Sequence, residues 1–290
     1  MFKGSMVALV TPFKNGKVDE KALSRLVEFH IKNGTTALVP CGTTGESATL
    51  SYEEHDKVIE LAIQFSKGRI PVIAGTGSNS TEEAIALTRH AKKAGADASL
   101  QVSPYYNRPT QKGLYLHFKA IARAVDIPII IYNIASRTGV NIEPETFAKL
   151  AEIKNIIGVK ESSGSLEQMS RIRKMCPKEF LLISGDDALT LPVLSIGGVG
   201  IISVAANIIP GDVADMCRAF EQGNIKKAEE LHYKMLGLIK AMFIETNPIP
   251  VKTAMGLMKM CEPDLRLPMC EILPENKEKL VQALKEYSLI

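Results

Sequence analysis

The chain has no tryptophan, and its seven tyrosines and nine phenylalanines leave aromatics at 6% of residues. A nucleic-acid surface built on stacked aromatics is poorly supplied, and no run of Lys or Arg offers a phosphate-binding stripe instead. Neither sign of charge dominates: 35 basic side chains against 32 acidic leave a net charge of +3, too little to steer a partner by itself. The five cysteines, Cys41, Cys176, Cys217, Cys261 and Cys270, are odd in number and contain no CxxC pair. That argues against a disulfide framework or a zinc site. Long apolar runs are missing too. The N-terminal one, Met6 to Val10, ends at Thr11-Pro12, too short for a signal peptide or a membrane span. The expectation is a cytoplasmic protein that meets neither membrane nor nucleic acid.

What is present is a repeating alternation. Short continuous apolar runs occur at Met6–Val10, Ala37–Cys41, Ile70–Ala74, Ala98–Val102, Ile127–Asn133, Ile156–Lys160, Phe180–Ser184 and Gly200–Val204. They are continuous rather than alternating, as parallel strands covered on both faces require. Amphipathic stretches lie between them. Leu23, Leu26, Val27 and His30 share one helical face, as do Val58, Leu61, Ala62 and Phe65, and Ala84, Leu87, Thr88 and Ala91. Ser51 precedes Glu53-Glu54 as a cap, and Ser80 stands three before Glu83 as a capping box. Eight strand–helix alternations fit either an open doubly wound sheet or a closed barrel. A chain of 290 residues favours the (β/α)₈ TIM barrel, over residues 1–222. From about Gly223 the pattern is helical only, with Ala228, Leu231, Met235 and Leu238 on one face. Asn247-Pro248-Ile249-Pro250 breaks that run, and Glu275 to Tyr287 forms a last helix. Residues 223–290 therefore read as a C-terminal helical extension.

Active sites of such barrels lie where strands end, so the polar residues that close each apolar run carry the information. Lys160 closes Ile156-Ile157-Gly158-Val159. An amine there is partly desolvated, which favours the neutral, nucleophilic form; the bland alternative is a lysine reaching solvent or pairing with Glu161. Tyr132-Asn133 ends another run, with Arg137 four residues on. The tyrosine can move a proton and the arginine can clamp a carboxylate, although a layer-filling tyrosine and a solvated arginine would look the same. Gly42-Thr43-Thr44-Gly45-Glu46 lets backbone N–H groups approach an anion, or is simply a tight turn; no GK[ST] follows, so it is not a nucleotide loop. Adjacent Tyr105 and Tyr106, in Pro104-Tyr105-Tyr106-Asn107-Arg108-Pro109, line either a site or a subunit contact. Gly197-Gly198-Val199-Gly200 lacks the spacing of a dinucleotide loop. The histidines, at 30, 55, 90, 117 and 232, show no ligand spacing, so no metal is assigned.

Together these motifs resemble the dihydrodipicolinate synthase / N-acetylneuraminate lyase family of pyruvate-dependent aldolases. The resemblance rests on Ala8-Leu9-Val10-Thr11-Pro12-Phe13, Gly42–Glu46, Ala74-Gly75-Thr76-Gly77, Tyr132–Arg137, Gly158-Val159-Lys160-Glu161-Ser162, Ser184-Gly185-Asp186-Asp187 and Asn247-Pro248-Ile249-Pro250-Val251-Lys252. Thr43-Thr44, Tyr105-Tyr106-Asn107 and Arg137 resemble the dihydrodipicolinate synthase branch. The resemblance implies that Lys160 forms an imine with pyruvate, whose enamine attacks L-aspartate 4-semialdehyde. It implies a proton relay of Tyr132, Thr44 and Tyr106, with Tyr106 coming from a neighbouring subunit of a homotetramer built as a dimer of dimers. Thr43 and Thr44 amides would hold the pyruvate carboxylate and Arg137 that of the semialdehyde, with Gly185 and Ile202 lining the pyruvate pocket. No cofactor is implied. An L-lysine feedback site would use Ser47, Ala48, His55, Asn79, Glu83 and Tyr105.

Two positions depart from the family pattern. Ala135 stands where proline is usual, which would loosen the loop that holds Arg137. Tyr52 stands where a second histidine is common. Three rivals remain open at this level: a sialate lyase or 2-keto-3-deoxygluconate aldolase sharing Lys160 and Tyr132, a non-catalytic pyruvate or lysine sensor, and a pyridoxal phosphate enzyme.

Overall fold

The computed structural model describes residues 2–290. All eight apolar runs form strands, and all eight join one parallel sheet. We number them β1 (Gly4–Ala8), β2 (Ala37–Val39), β3 (Ile73–Gly75), β4 (Ala98–Val102), β5 (Ile129–Asn133), β6 (Ile156–Glu161), β7 (Leu181–Ser184) and β8 (Gly200–Ser203). Their spatial order is β2-β1-β8-β7-β6-β5-β4-β3. A parallel bridge between Leu38 and Val72 brings the two edge strands together, and bonds from Leu38 N to Pro71 O (3.0 Å) and from Gly75 N to Pro40 O (3.0 Å) support it. The barrel is thereby closed without an exposed edge. Strand ends differ from the expected runs for local reasons. The second run stops at Val39 because Pro40 has no N–H to give and Cys41 turns into left-handed backbone (φ 56°).

Eight helices wrap the sheet, α1 (Glu20–Lys32), α2 (Tyr52–Ser66), α3 (Thr81–Ala94), α4 (Gln111–Ala124), α5 (Pro144–Leu150), α6 (Leu166–Met175), α7 (Thr190–Ser195) and α8 (Pro210–Glu221). Their apolar stripes meet the outer faces of the strands. In α1, Leu23, Leu26, Val27 and His30 are all buried. The capping expectations divide. Ser51 and Glu54 form a complete capping box at the start of α2. At α3, Ser80 Oγ accepts from Glu83 N (3.4 Å), but the Glu83 carboxylate turns instead to Ser78 and Tyr52, so the box there is half formed. A small hairpin, Phe13–Lys14 with Lys17–Val18, was not among the expected elements. Asn15 and Gly16, both at positive φ, supply its tight turn.

Residues on the inner face of the barrel alternate with outward ones. Met6, Ile73, Leu100, Ile130, Ile183 and Ile202 form the apolar filling, and Tyr132 and Lys160 continue it toward the C-terminal ends of the strands.

Beyond α8 the chain is helical, as expected: α9 (Ile225–Met242), α10 (Ile249–Leu257) and α11 (Pro274–Glu286). Ala228, Leu231, Met235 and Leu238 are the buried face of α9. The Asn247–Pro250 break is real, but Pro250 lies in the first turn of a further helix, α10, that the sequence pattern does not reveal; proline fits a first turn, where its missing N–H has no partner to lose. That helix straps the tail to the barrel. Lys252 Nζ lies 2.6 Å from Glu46 Oε1 and 3.0 Å from Thr11 O, over the Phe13 ring at 4.2 Å. Both side chains of this ion pair are buried, at 0% and 2% exposure. Glu46 Oε2 accepts from Arg266 N (3.1 Å), and Arg266 continues to Glu54 (2.5 Å). Burial pushes the Lys252 pKa down, against the pull of the Glu46 carboxylate.

Removing one member strands the other charge in the interior. Lys252→Ala is expected to cost about 3–5 kcal/mol of stability, whereas Lys252→Met with Glu46→Leu should be close to neutral. Urea unfolding of the three proteins measures this, and a mild single variant would show that the pair is not desolvated.

Candidate active site

The parallel register of β5 and β6 sets Tyr132 opposite Lys160 and Asn133 opposite Glu161. Side chains alternate along a strand, so Tyr132 and Lys160 face the barrel interior together. Lys160 is 5% exposed, and its Nζ lies 4.1 Å from the centre of the Tyr132 ring. No carboxylate among the described residues pairs with it. The bland reading, a lysine in solvent or bridged to Glu161, does not hold. Glu161 points to the opposite face, where it accepts from Asn133 Nδ2 (2.9 Å) and Ser163 N (2.7 Å). Burial raises its carboxyl pKa, and those hydrogen bonds oppose the rise.

Gly185 follows β7 and lies against Lys160. A Cβ there would collide with Ser162 Oγ and sit 3.0 Å from Lys160 Cε. Only glycine leaves the amine's stem and the Ser162 hydroxyl in place. Ile202, fully buried on β8 opposite Met6, belongs to the apolar filling of the barrel interior.

The Gly42–Glu46 turn is fixed by close backbone approach. A Cβ on Gly45 would meet Leu9 O at 3.0 Å, and Thr11 Oγ1 donates to Gly45 O (2.7 Å). Thr44 is buried and Thr43 half-buried. Arg137 lies in a helical turn, Ala135–Thr138. Ala135 starts that turn without a proline, and Gly139 N closes it onto Ala135 O (2.9 Å). That bond gives the Arg137 segment a closed helical turn. Arg137 Nη2 donates to Asn247 O (2.9 Å), and Asn247 Nδ2 donates to Thr44 Oγ1 (2.9 Å). The arginine and the threonine are thus joined through one residue of the tail, which stands out in the sequence as part of a motif but carries no role there.

Tyr106 does not enter this constellation within one chain. It is 91% exposed and at φ 70°, a conformation costly for a bulky residue. The remaining expected residues gather elsewhere, at the start of α2 and α3. His55 is buried, with Nε2 2.9 Å from Gly75 O, and burial lowers its pKa. Glu83 is bonded by Ser78 and Tyr52, which lower its pKa in that order. Asn79 Nδ2 donates to Tyr105 O (3.2 Å). Tyr105 is exposed, Ser47 half-buried and Ala48 exposed on the turn before α2. Tyr52, the other departure, is therefore part of this cluster.

Residues 1–287 match the dihydrodipicolinate synthetase family model. A 4-hydroxy-tetrahydrodipicolinate synthase of Syntrophus aciditrophicus (strain SB) is 59% identical over 290 residues, all of both chains. The crystal structure of dihydrodipicolinate synthase from Aquifex aeolicus superposes with a TM-score of 0.98 at 55% identity, covering 99% of each chain. A dihydrodipicolinate synthase from Cyanidioschyzon merolae with lysine bound superposes at 0.96 and 44% identity, over 100% of this chain and 99% of that one.

The packing at Gly185 makes a direct prediction. Gly185→Ala is expected to lower turnover by about a hundredfold or more, the usual consequence of shifting a reacting group by about an ångström. Steady-state kinetics beside circular dichroism test it; an alanine variant with parental turnover would mean that Lys160 is not held there.

Proposed function

The chain belongs to the dihydrodipicolinate synthetase family, and from that premise we propose that it condenses pyruvate with L-aspartate 4-semialdehyde to give 4-hydroxy-tetrahydrodipicolinate, in lysine and diaminopimelate biosynthesis. The observation that carries this is Lys160, a buried amine with no carboxylate partner among the described residues, against the Tyr132 ring at 4.1 Å. The full-length relative at 59% identity supports this activity over a sugar-acid lyase or a non-catalytic sensor.

In this reading the Lys160 amine adds to the pyruvate ketone, and water leaves to give an imine. Loss of a methyl proton gives the enamine, whose carbon bonds to the aldehyde carbon of the semialdehyde. The amine of that substrate then attacks the imine carbon, closes the ring and releases Lys160. The protonated imine is itself the electron sink, so the scheme calls for no cofactor. Tyr132, Thr44 and Tyr106 are the proton relay. The Thr43 and Thr44 amides receive the pyruvate carboxylate beside Gly185 and Ile202, and Arg137 receives the semialdehyde carboxylate. Tyr106, exposed on one chain, completes the relay of a neighbour in a homotetramer built from dimers.

A second site, made by Ser47, Ala48, His55, Asn79, Glu83 and Tyr105, binds L-lysine as a feedback inhibitor. Glu83, kept ionised by Ser78 and Tyr52, supplies the charge for an ammonium group. The five cysteines are free thiols, which suits the cytoplasm as the compartment. Among the described residues no helix is long and apolar enough to cross a membrane.

Borohydride reduction in the presence of pyruvate is expected to leave a reduced pyruvate adduct on the peptide containing Lys160, and Lys160→Ala to lower turnover by orders of magnitude while the fold survives. Mass mapping that places the adduct on another lysine would end this reading. Added L-lysine is expected to depress the rate in a saturable manner; a flat curve to millimolar concentration would remove the feedback assignment alone.

A further inference from the structure

The geometry points to Asn247 as a positioning residue for the proton relay: its side-chain N–H sets the direction in which the Thr44 hydroxyl donates. This rests on the reading of Lys160, Tyr132 and Thr44 given above. A hydroxyl has one hydrogen to donate and two lone pairs to accept with. A relay member uses one donation and one acceptance, taking a proton from one neighbour and passing it to the next. That leaves one lone pair, which would otherwise let the hydroxyl turn. Asn247 Nδ2 occupies it, at 2.9 Å from Thr44 Oγ1. An amide N–H can only donate, so the Thr44 hydrogen is turned away from Asn247 and left for the relay partner that the proposed function assigns.

Two further observations bear on this. Asn247 is 5% exposed, and its Oδ1 is buried without a hydrogen-bond partner. An unpaired amide oxygen in the interior is costly, so packing alone would be better met by an apolar side chain. What the amide provides there is its N–H. The second is the main chain of the same residue, whose carbonyl accepts from Arg137 Nη2 (2.9 Å). One residue thus orients the relay with its side chain and holds the carboxylate clamp with its backbone, and substitution separates the two.

Asn247→Ala removes the arm to Thr44 and keeps the carbonyl. It is expected to lower kcat about tenfold or more while the KM for the semialdehyde changes less than about threefold. In a Thr44→Val background the same substitution should cost nothing further, because the bond it removes is already gone. Asn247→Asp keeps the shape and reverses the polarity. Its carboxylate accepts from Thr44 and pulls the hydrogen out of the relay, so it should be slower than the alanine variant at neutral pH. Its activity relative to the parent should recover as pH falls and the carboxyl group regains a donor.

A merely structural role predicts a lowered melting temperature with the parental pH profile, and equal losses in the parental and Thr44→Val backgrounds. Either result overturns the assignment, as does an Asn247→Asp variant with parental kcat at neutral pH, which would mean that Thr44 donates to this position. If the alanine variant does not accumulate, the isosteric Asn247→Asp variant and its pH profile decide alone. A parent enzyme that traps no pyruvate undoes the functional reading; a parent that traps and turns over beside an unimpaired Asn247→Ala undoes only this one.

Discussion

The register between β5 and β6 is the constraint on which the site depends. With a side-chain period of two, a slip of one residue would carry Lys160 to the outer face and bring Glu161 into the interior. The apolar filling resists that slip. Ile130 and Tyr132 must face the same interior as Ile183 and Ile202, while Ile129, Ile131 and Val159 pack outward against the helices. Backbone pairing across five positions of the two strands therefore fixes which chemistry the barrel presents. The amine's unpaired state follows from the same alternation, since the neighbouring carboxylate is committed to the Asn133 and Ser163 side of the sheet.

The second organising fact is that one loop is gripped from two directions. Residues Thr44 and Glu46, two positions apart, receive Asn247 and Lys252 from the tail. On the barrel side, Gly45 is pressed against Leu9 O and bonded by Thr11. Very little freedom is left to the amides of Thr43 and Thr44. In the proposed reading these amides meet the pyruvate carboxylate as preorganised donors, without reorganisation at the moment of binding. The Lys252–Glu46 pair carries a large desolvation cost in a dry interior, but it fixes the direction of α10, and with it the position of Asn247.

Much of this could be read from the residues alone. Eight continuous apolar runs marked the strands, and their lengths and order fitted the barrel. Lys160 and Tyr132 could be placed because each stands at the end of a run, and strand ends are where such barrels carry chemistry; Gly185 and Ile202 came from the family resemblance alone. The short helix α10 could not. A stretch with Pro248 and Pro250 reads as a break, and only tertiary packing makes those prolines a helix start. For the same reason Asn247 had no role at sequence level: its partners are 203 and 110 residues away, and no local pattern records contacts of that span. The half-formed cap at Ser80 has a different cause, because Glu83 bonds to Ser78 and Tyr52 instead, a competition that no capping rule takes into account.

The grip of the tail on the Thr44 loop also bears on how the chain can be divided. A barrel of eight complete strand–helix units ends at Glu221, and by architecture alone a fragment stopping there would be a finished object. Such a fragment would keep Lys160 and Tyr132 intact, yet it would expose the apolar face that α9 covers and strip Glu46 of both its Lys252 counter-ion and the Arg266 N–H. Thr44 would lose the donor that orients it, and Arg137 the carbonyl it rests on. For grafting, permutation or recombination with related barrels, the natural unit of exchange is therefore not the barrel but the barrel together with its helical tail, and crossovers between them must carry Glu46 and Lys252 from the same parent.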